Sequence, residues 1–186
     1  MKIRRVLTLA LLSLEFAAPS ISGGAEQAIL EVRVKDHREA IGDFSKVILN
    51  LDAILVSPKP GLKFWQTEWK SLALAIPSVD LTKYVGKQTA AIFRGSIAVG
   101  SYDGVHLKIK SVEATLKKNS RSATIKNKVG PIKLAFEASA RGDTVIVLDL
   151  VVLDMSDHPP AGYDLNLAGY ELYTNGKLVD KIPPGS

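Results

Sequence analysis

No cysteine occurs in the chain's 186 residues. That absence excludes a disulfide framework, a thiolate nucleophile and an N-terminal cysteine able to carry a lipid anchor. Aromatic residues are scarce at 6%, too few to single out a sugar cleft flanked by paired carboxylates. The three histidines are His37, His106 and His158, and no serine stands in a G-x-S-x-G elbow. The sequence therefore predicts a protein that is not an enzyme and needs no cofactor. Beyond the N-terminus no apolar run approaches the roughly 20 residues a membrane-crossing helix requires, so stability must come from packing alone.

The chain opens MKIRRVLTLALLSLEFAAPSISGGA, which has the three parts of a secretory leader. Lys2, Arg4 and Arg5 form a cationic n-region, and Val6 to Ile21 a mostly apolar core broken by Glu15 and Pro19. Ser20-Ile21-Ser22 or Gly23-Gly24-Ala25 supplies the small residues that a signal peptidase reads. Residues 1–25 are expected to be a cleaved signal peptide and residues 26–186 a single domain; the alternative is an uncleaved anchor. Cleavage removes three cations and one anion, so the net charge of +5 falls to +3. The expected location is outside the cell, in the periplasm or on the surface, with membrane contact only through the leader before cleavage.

From residue 26 onward, period-two alternation dominates. In FSKVILNLDAILVS, Val47, Leu49, Leu51, Ala53 and Leu55 share one face. In TVIVLDLVVLDM, Ile146, Leu148, Leu150 and Val152 should face a core. The opposite face, with Val145, Val147, Asp149, Val151 and Leu153, is too apolar to lie bare, so another segment or subunit should cover it. In GVHLKIKSVEATLKK the apolar parity changes between Ile109 and Val112, which predicts a bulge near Lys110 and Ser111. Tyr102-Asp103-Gly104 reads as a turn. Asn175-Gly176, between ELYT and KLVDKI, reads as a two-residue hairpin turn. Short helices are expected only around Trp69–Ala75 and Leu81–Val85. About eight to nine strands with short turns predict an antiparallel β-sandwich, with a barrel as the fallback.

Several of these segments resemble, in order, a family of exported β-sandwich domains catalogued as domain of unknown function 4382. Val34-Lys35-Asp36-His37 stands where that family has V-T-D-A, and Lys46 to Ile54 matches its second strand. Trp65, Val79-Asp80-Leu81-Thr82, Gly100 to Leu107 and Thr144 to Leu150 follow in the expected sequence. The resemblance covers roughly residues 28 to 155. It implies export and a sandwich, and it transfers no activity. The family's T-D-A-P turn is K-D-H-R here, and the lipoprotein cysteine of many relatives is missing.

Three groups of residues are candidates for chemistry. Asp154, Asp157 and His158 end the most apolar strand, and Asp36 and His37, with Glu39 and Asp43, form a second acidic and imidazole cluster. If the fold joined the two, they could hold a metal or serve an envelope hydrolase; otherwise they are polar strand ends suited to turns. Lys117, Lys118, Arg121, Lys126, Lys128 and Lys133 occur with no acid between Glu113 and Glu137. A hairpin carrying them would suit an anionic polysaccharide, an anionic lipid surface or a polyphosphate, or its lysines would simply deter edge-to-edge pairing. Nucleic acid is not an expected partner, because no aromatics interleave with the lysines. Trp65 is expected in the core and Trp69 partly exposed, while His106 should lie in solvent. The sequence thus predicts a binding or structural module, partnered by an envelope polysaccharide or another protein subunit. A filament or homo-oligomer subunit is a variant of the same reading.

Overall fold

The computed structural model describes residues 26–59, 68–157 and 162–182. The leader, Trp65 and His158 lie outside the described residues. In chain order the strands are β1 (Gln27–Asp36), β2 (Phe44–Pro58), β3 (Lys70–Leu72), β4 (Ser78–Asp80), β5 (Ala90–Ala98) and β6 (Gly100–Leu116). They continue with β7 (Ser122–Ala123), β8 (Ile125–Asn127), β9 (Ile132–Ala138), β10 (Asp143–Asp154), β11 (Tyr163–Thr174) and β12 (Lys177–Ile182). Among the described residues there is no α-helix, only two short 3-10 turns at Ala40–Asp43 and Leu81–Lys83.

The strands form the expected sandwich. One sheet has the order β12-β11-β10-β1-β5, with β8 also on β11. The other has the order β3-β2-β6-β7, with β4 on β2 and β9 on β6. Between them Leu30, Val32 and Val34 of β1 and Ile146, Leu148, Leu150 and Val152 of β10 are fully shielded from solvent. They meet Val47, Leu49 and Ile54 of β2 and Leu107 of β6 in one continuous aliphatic core. Each such side chain contributes about 1.5–3 kcal/mol through its removal from water. That is the stabilisation a cysteine-free domain depends on.

Two pairings run parallel, β1 with β10 and β8 with β11. The first sets the centre of its sheet: Arg33 lies opposite Val147, Lys35 opposite Asp149 and Asp36 opposite Leu150. β10 is buried on both faces over most of its length, as strands in parallel pairs usually are, whereas β1 is half-buried on its outer face at Arg33 and Lys35. On the outer face, side chains from the neighbouring strands β1 and β11 cover much of β10, as the expected covering segment would. Arg33, Lys35, Glu171 and Tyr173 stand around Val145 and Val147, and their aliphatic or aromatic bodies cover apolar surface while their polar tips stay wet.

The parity change in β6 is a bulge at the expected place. Asn50 pairs with Ser111 and Leu51 with Ile109, leaving Lys110 out of register, and Asp52 of β2 has no partner on β6 just beyond. Tyr102-Asp103-Gly104 is not a turn. It lies inside β6, where Asp103 falls between the Tyr102 and Gly104 pairings with β9. Trp69–Ala75 likewise holds a strand, β3, because β2 offers it an edge, and a tertiary pairing overrides weak local helical preference. The Leu81 segment is a single 3-10 turn whose N-terminal Asp80 side chain accepts from the Thr82 N–H. At Asn175 and Gly176 φ is 51° and 74°, the paired positive values a primed hairpin turn requires.

The chain changes sheets at Thr124. β7 pairs with β6, whereas β8, two residues on, pairs with β11 in the opposite sheet. Ser122 to Lys126 is thus a corner joining the two layers.

Candidate functional site

The densest polar constellation lies on the outer face of the β1/β10 sheet. Alternation along β1 places Glu31, Arg33, Lys35 and then His37 on that face, while Leu30, Val32 and Val34 point inward. The parallel register delivers Asp149 of β10 to Lys35, with Nζ 3.4 Å from Oδ2. Lys35 Nζ also donates to Glu171 Oε1 of β11 at 3.1 Å. His37 Nδ1 stands 3.3 Å from the same Asp149 oxygen. Tyr173 donates its hydroxyl to Glu171 Oε2 at 2.7 Å, and Lys181 of β12 lies 3.3 Å from Oε1. Toward the other edge, Arg33 and Arg94 both engage Glu31, which is only 4% exposed.

These contacts set the protonation behaviour. The hydrogen bond from Arg33, with help from Arg94 against the cost of burial, holds Glu31 below the usual carboxylate range. Burial alone would raise Glu171, but hydrogen bonds from Tyr173, Lys35 and Lys181 outweigh it and its pKa is lowered. The Tyr173 phenol moves up, chiefly because its proton is shared with Glu171. This face is therefore a preorganised ladder of alternating charge at neutral pH.

Two hollows open on it. One, of about 480 Å³, has Val145 and Val147 as its floor and Arg33, Lys35, Lys87, Thr89, Glu171 and Tyr173 around them. The other, of about 530 Å³, lies past Asp149 and is more apolar, with Val151, Leu153 and Leu167 beside His37, Glu39 and Asn166. Convergent polar groups over an apolar floor are what a small-ligand site needs.

The residues singled out in sequence are distributed unevenly around this face. His37 lies on it. Asp36, its neighbour, turns inward and is fully buried: Oδ1 accepts from the Arg38 N–H and Oδ2 has no partner. Burial, reinforced by the nearby Asp149 charge, pushes its pKa up to about 6 against weaker opposing effects of the Arg38 N–H, His37 and the nearby Val152 N–H, which does not reach hydrogen-bond geometry with Oδ2. Asp154 is exposed and accepts from the Ser156 N–H. It is four residues further along β10 than Leu150, the partner of Asp36, a separation of roughly 13 Å at strand spacing. Asp157 is exposed in the following turn. Among the described residues no three His, Cys, Asp or Glu side chains stand close enough to hold a metal ion. His37 is joined to Asp149, which strand alternation alone puts on a mostly apolar face.

The basic stretch is divided between layers. Lys117, Lys118 and Arg121 lie at the turn after β6, with Lys117 Nζ donating to the Gly42 carbonyl at 2.8 Å. Lys126 is on β8 in the opposite sheet, Lys128 just beyond it, and Lys133 on β9. A six-cation hairpin does not form, because the chain changes sheets in its middle. His106 is half-buried against the partly exposed Trp69, their ring centroids 6.1 Å apart. Burial, then the Lys108 charge, lowers its pKa.

Lys35, Glu31 and Glu171 were not recognised from sequence. The available signal was E-V-R-V-K, three charges alternating with buried valines. It marks a polar strand face without revealing which strands lie beside it.

Two facing sheets around an aliphatic core, with a charge-lined hollow on one outer surface, define an all-β sandwich domain. The chain belongs to the family described as Domain of unknown function (DUF4382), whose profile matches residues 27–165. The match runs from the start of β1 into β11 and confirms the resemblance carried by the ordered motifs. No curated protein and no solved structure matches the chain.

Proposed function

We propose that this protein is an exported, non-catalytic binding module of the cell envelope or the extracellular space, and that its ligand is an anionic polysaccharide held on the outer face of the β1/β10 sheet. The observation that carries this reading is the 480 Å³ hollow. Arg33, Lys35 and Lys87 suit the carboxylate of a sugar acid, the Tyr173 ring offers a stacking plane, and Glu171 can accept from sugar hydroxyls. Lys87 makes no ion pair among the described residues, so its charge is available to a ligand. The leader-like N-terminus supports export.

Affinity electrophoresis through polygalacturonate and through a neutral glucan tests this reading. Retardation is expected in the polyuronate gel only, and the paired R33E/K87E variant should lose it while its circular dichroism is unchanged. Equal behaviour in both gels would overturn the proposal.

A second reading, a homo-oligomer or filament subunit, is favoured by β12. Leu178, Val179 and Ile182 on this edge strand are 52%, 55% and 39% exposed, an apolar strand edge of the kind that pairs with another chain. Sedimentation velocity across a concentration series tests it. Association abolished by V179K would support the reading, and a single monomeric species throughout would end it.

A further inference from the structure

We propose that the outer edge of β6, between Val105 and Ala114, is a docking site for an extended acidic peptide, which joins the β2/β6 sheet as an added strand. Along one edge β6 pairs with β2 from Tyr102 to Leu116, with bulges on the way. Along the other it pairs with β9 as far as Val105, opposite Ile132, and with β7 from Ala114, opposite Ala123. No described strand pairs with that edge over residues 106–113. The opening follows from the sheet change at Thr124: the chain departs as β8 to pair with β11 and returns to this sheet only at Ile132.

A strand edge without a neighbour presents backbone donors and acceptors that another extended backbone satisfies. Here that edge adjoins a hollow of about 400 Å³ with Leu107, Ile109 and Val129 among its lining side chains. Leu107 and Val129 are already covered and Ile109 is half-buried, so inward side chains of an added strand would rest chiefly against Ile109, and the others would point outward. The outward rim is cationic. Lys108 and Lys110 project from β6, Lys126 and Lys128 flank from the β8 side, and Lys133 stands at the start of β9, all five exposed. Against them are Asp52, in the hollow, and Glu113, which accepts from Asn50. The same lysines repel a second copy of this edge and admit a strand of opposite charge, so repulsion and selection come from one set of residues. A peptide fits better than an acidic glycan because only a peptide backbone continues the ladder.

This surface belongs to the other sheet from the polysaccharide hollow and shares no residue with it, so either proposal can fail alone. The test is fluorescence anisotropy with a labelled peptide of about eight residues alternating valine and glutamate. Controls are the valine–lysine peptide and a glutamate peptide N-methylated at alternate amides. Binding is expected for the glutamate peptide alone. N-methylation should weaken it by at least about tenfold, although the charge is intact. The K108E/K126E/K133E variant should weaken it by about tenfold and gain affinity for the lysine peptide. Hydrogen exchange should slow at residues 106–113 on binding. Equal affinity for the methylated peptide, protection elsewhere on the molecule, or no binding at low salt would each overturn the proposal.

Discussion

The backbone N–H of Arg38 donates to Oδ1 of the fully buried Asp36 at 2.8 Å, and the second oxygen of that carboxyl has no partner. One side of the group is tied to a turn and the other is sealed in the core, so the charged form is held at a loss. With a pKa raised from 3.8 to about 6, Asp36 keeps a proton in the folded state that the unfolded chain releases. Its stabilising effect is fully present below pH 3.8 and is lost as pH rises through about 6. D36N should match the parent at low pH and exceed it by about 1–3 kcal/mol at neutral pH in urea unfolding. Lower stability of the variant at neutral pH would show that the carboxylate is favourably held.

Glu31 behaves in the opposite sense. Its pKa is lowered, first by the Arg33 hydrogen bond, so its contribution is present above the ordinary carboxylate pKa and is lost as pH falls through its depressed value. E31Q should cost about 1 kcal/mol at neutral pH, a modest figure because both arginines reach solvent. Urea unfolding of parent and variant should converge at low pH. A difference that persists in acid would assign the effect to packing.

Tyr170 donates its hydroxyl to Asp180 Oδ2 at 2.8 Å, tying β11 to edge strand β12. Burial first, then that bond, pushes its pKa up to about 12. The fold retains this phenolic proton above pH 10, so stability declines as pH rises from there. Y170F should remove the high-pH phase from an ultraviolet titration and cost about 1 kcal/mol, since Asp180 keeps its bond from the Lys181 N–H.

Gly86 adopts φ +70°, and a Cβ there would lie 2.7 Å from the Arg38 guanidinium. G86A should cost about 1–2 kcal/mol from the left-handed backbone alone, whereas G42A, with open space around its Cβ position, should be near neutral. Comparing the two melting curves separates backbone strain from a general loss of glycine.

Strand patterning was legible because a half-buried strand must alternate. Lys110 lost its place in the register where Ile109 and Val112 broke parity, and Asn175-Gly176 turned where positive φ was needed. What local pattern missed were segments whose state depended on a distant neighbour. Lys70–Leu72 became a strand because β2 had a free edge, and Tyr102-Asp103-Gly104 was drawn into β6 despite its turn-like composition. The candidate site was half legible: His37 was recognised, but its partner Asp149 lies more than a hundred residues away.

The order of apolar and polar residues by itself determined that this chain forms layered sheets around an aliphatic core, because alternation is a local property that each strand carries alone. The tertiary structure decided which outward faces meet. The parallel β1/β10 register brought Lys35 to Asp149, and the sheet change at Thr124 divided the lysine-rich stretch and left an edge of β6 open. Strand pairing is a choice among distant partners of similar pattern, settled by closure of the common core rather than by any one segment.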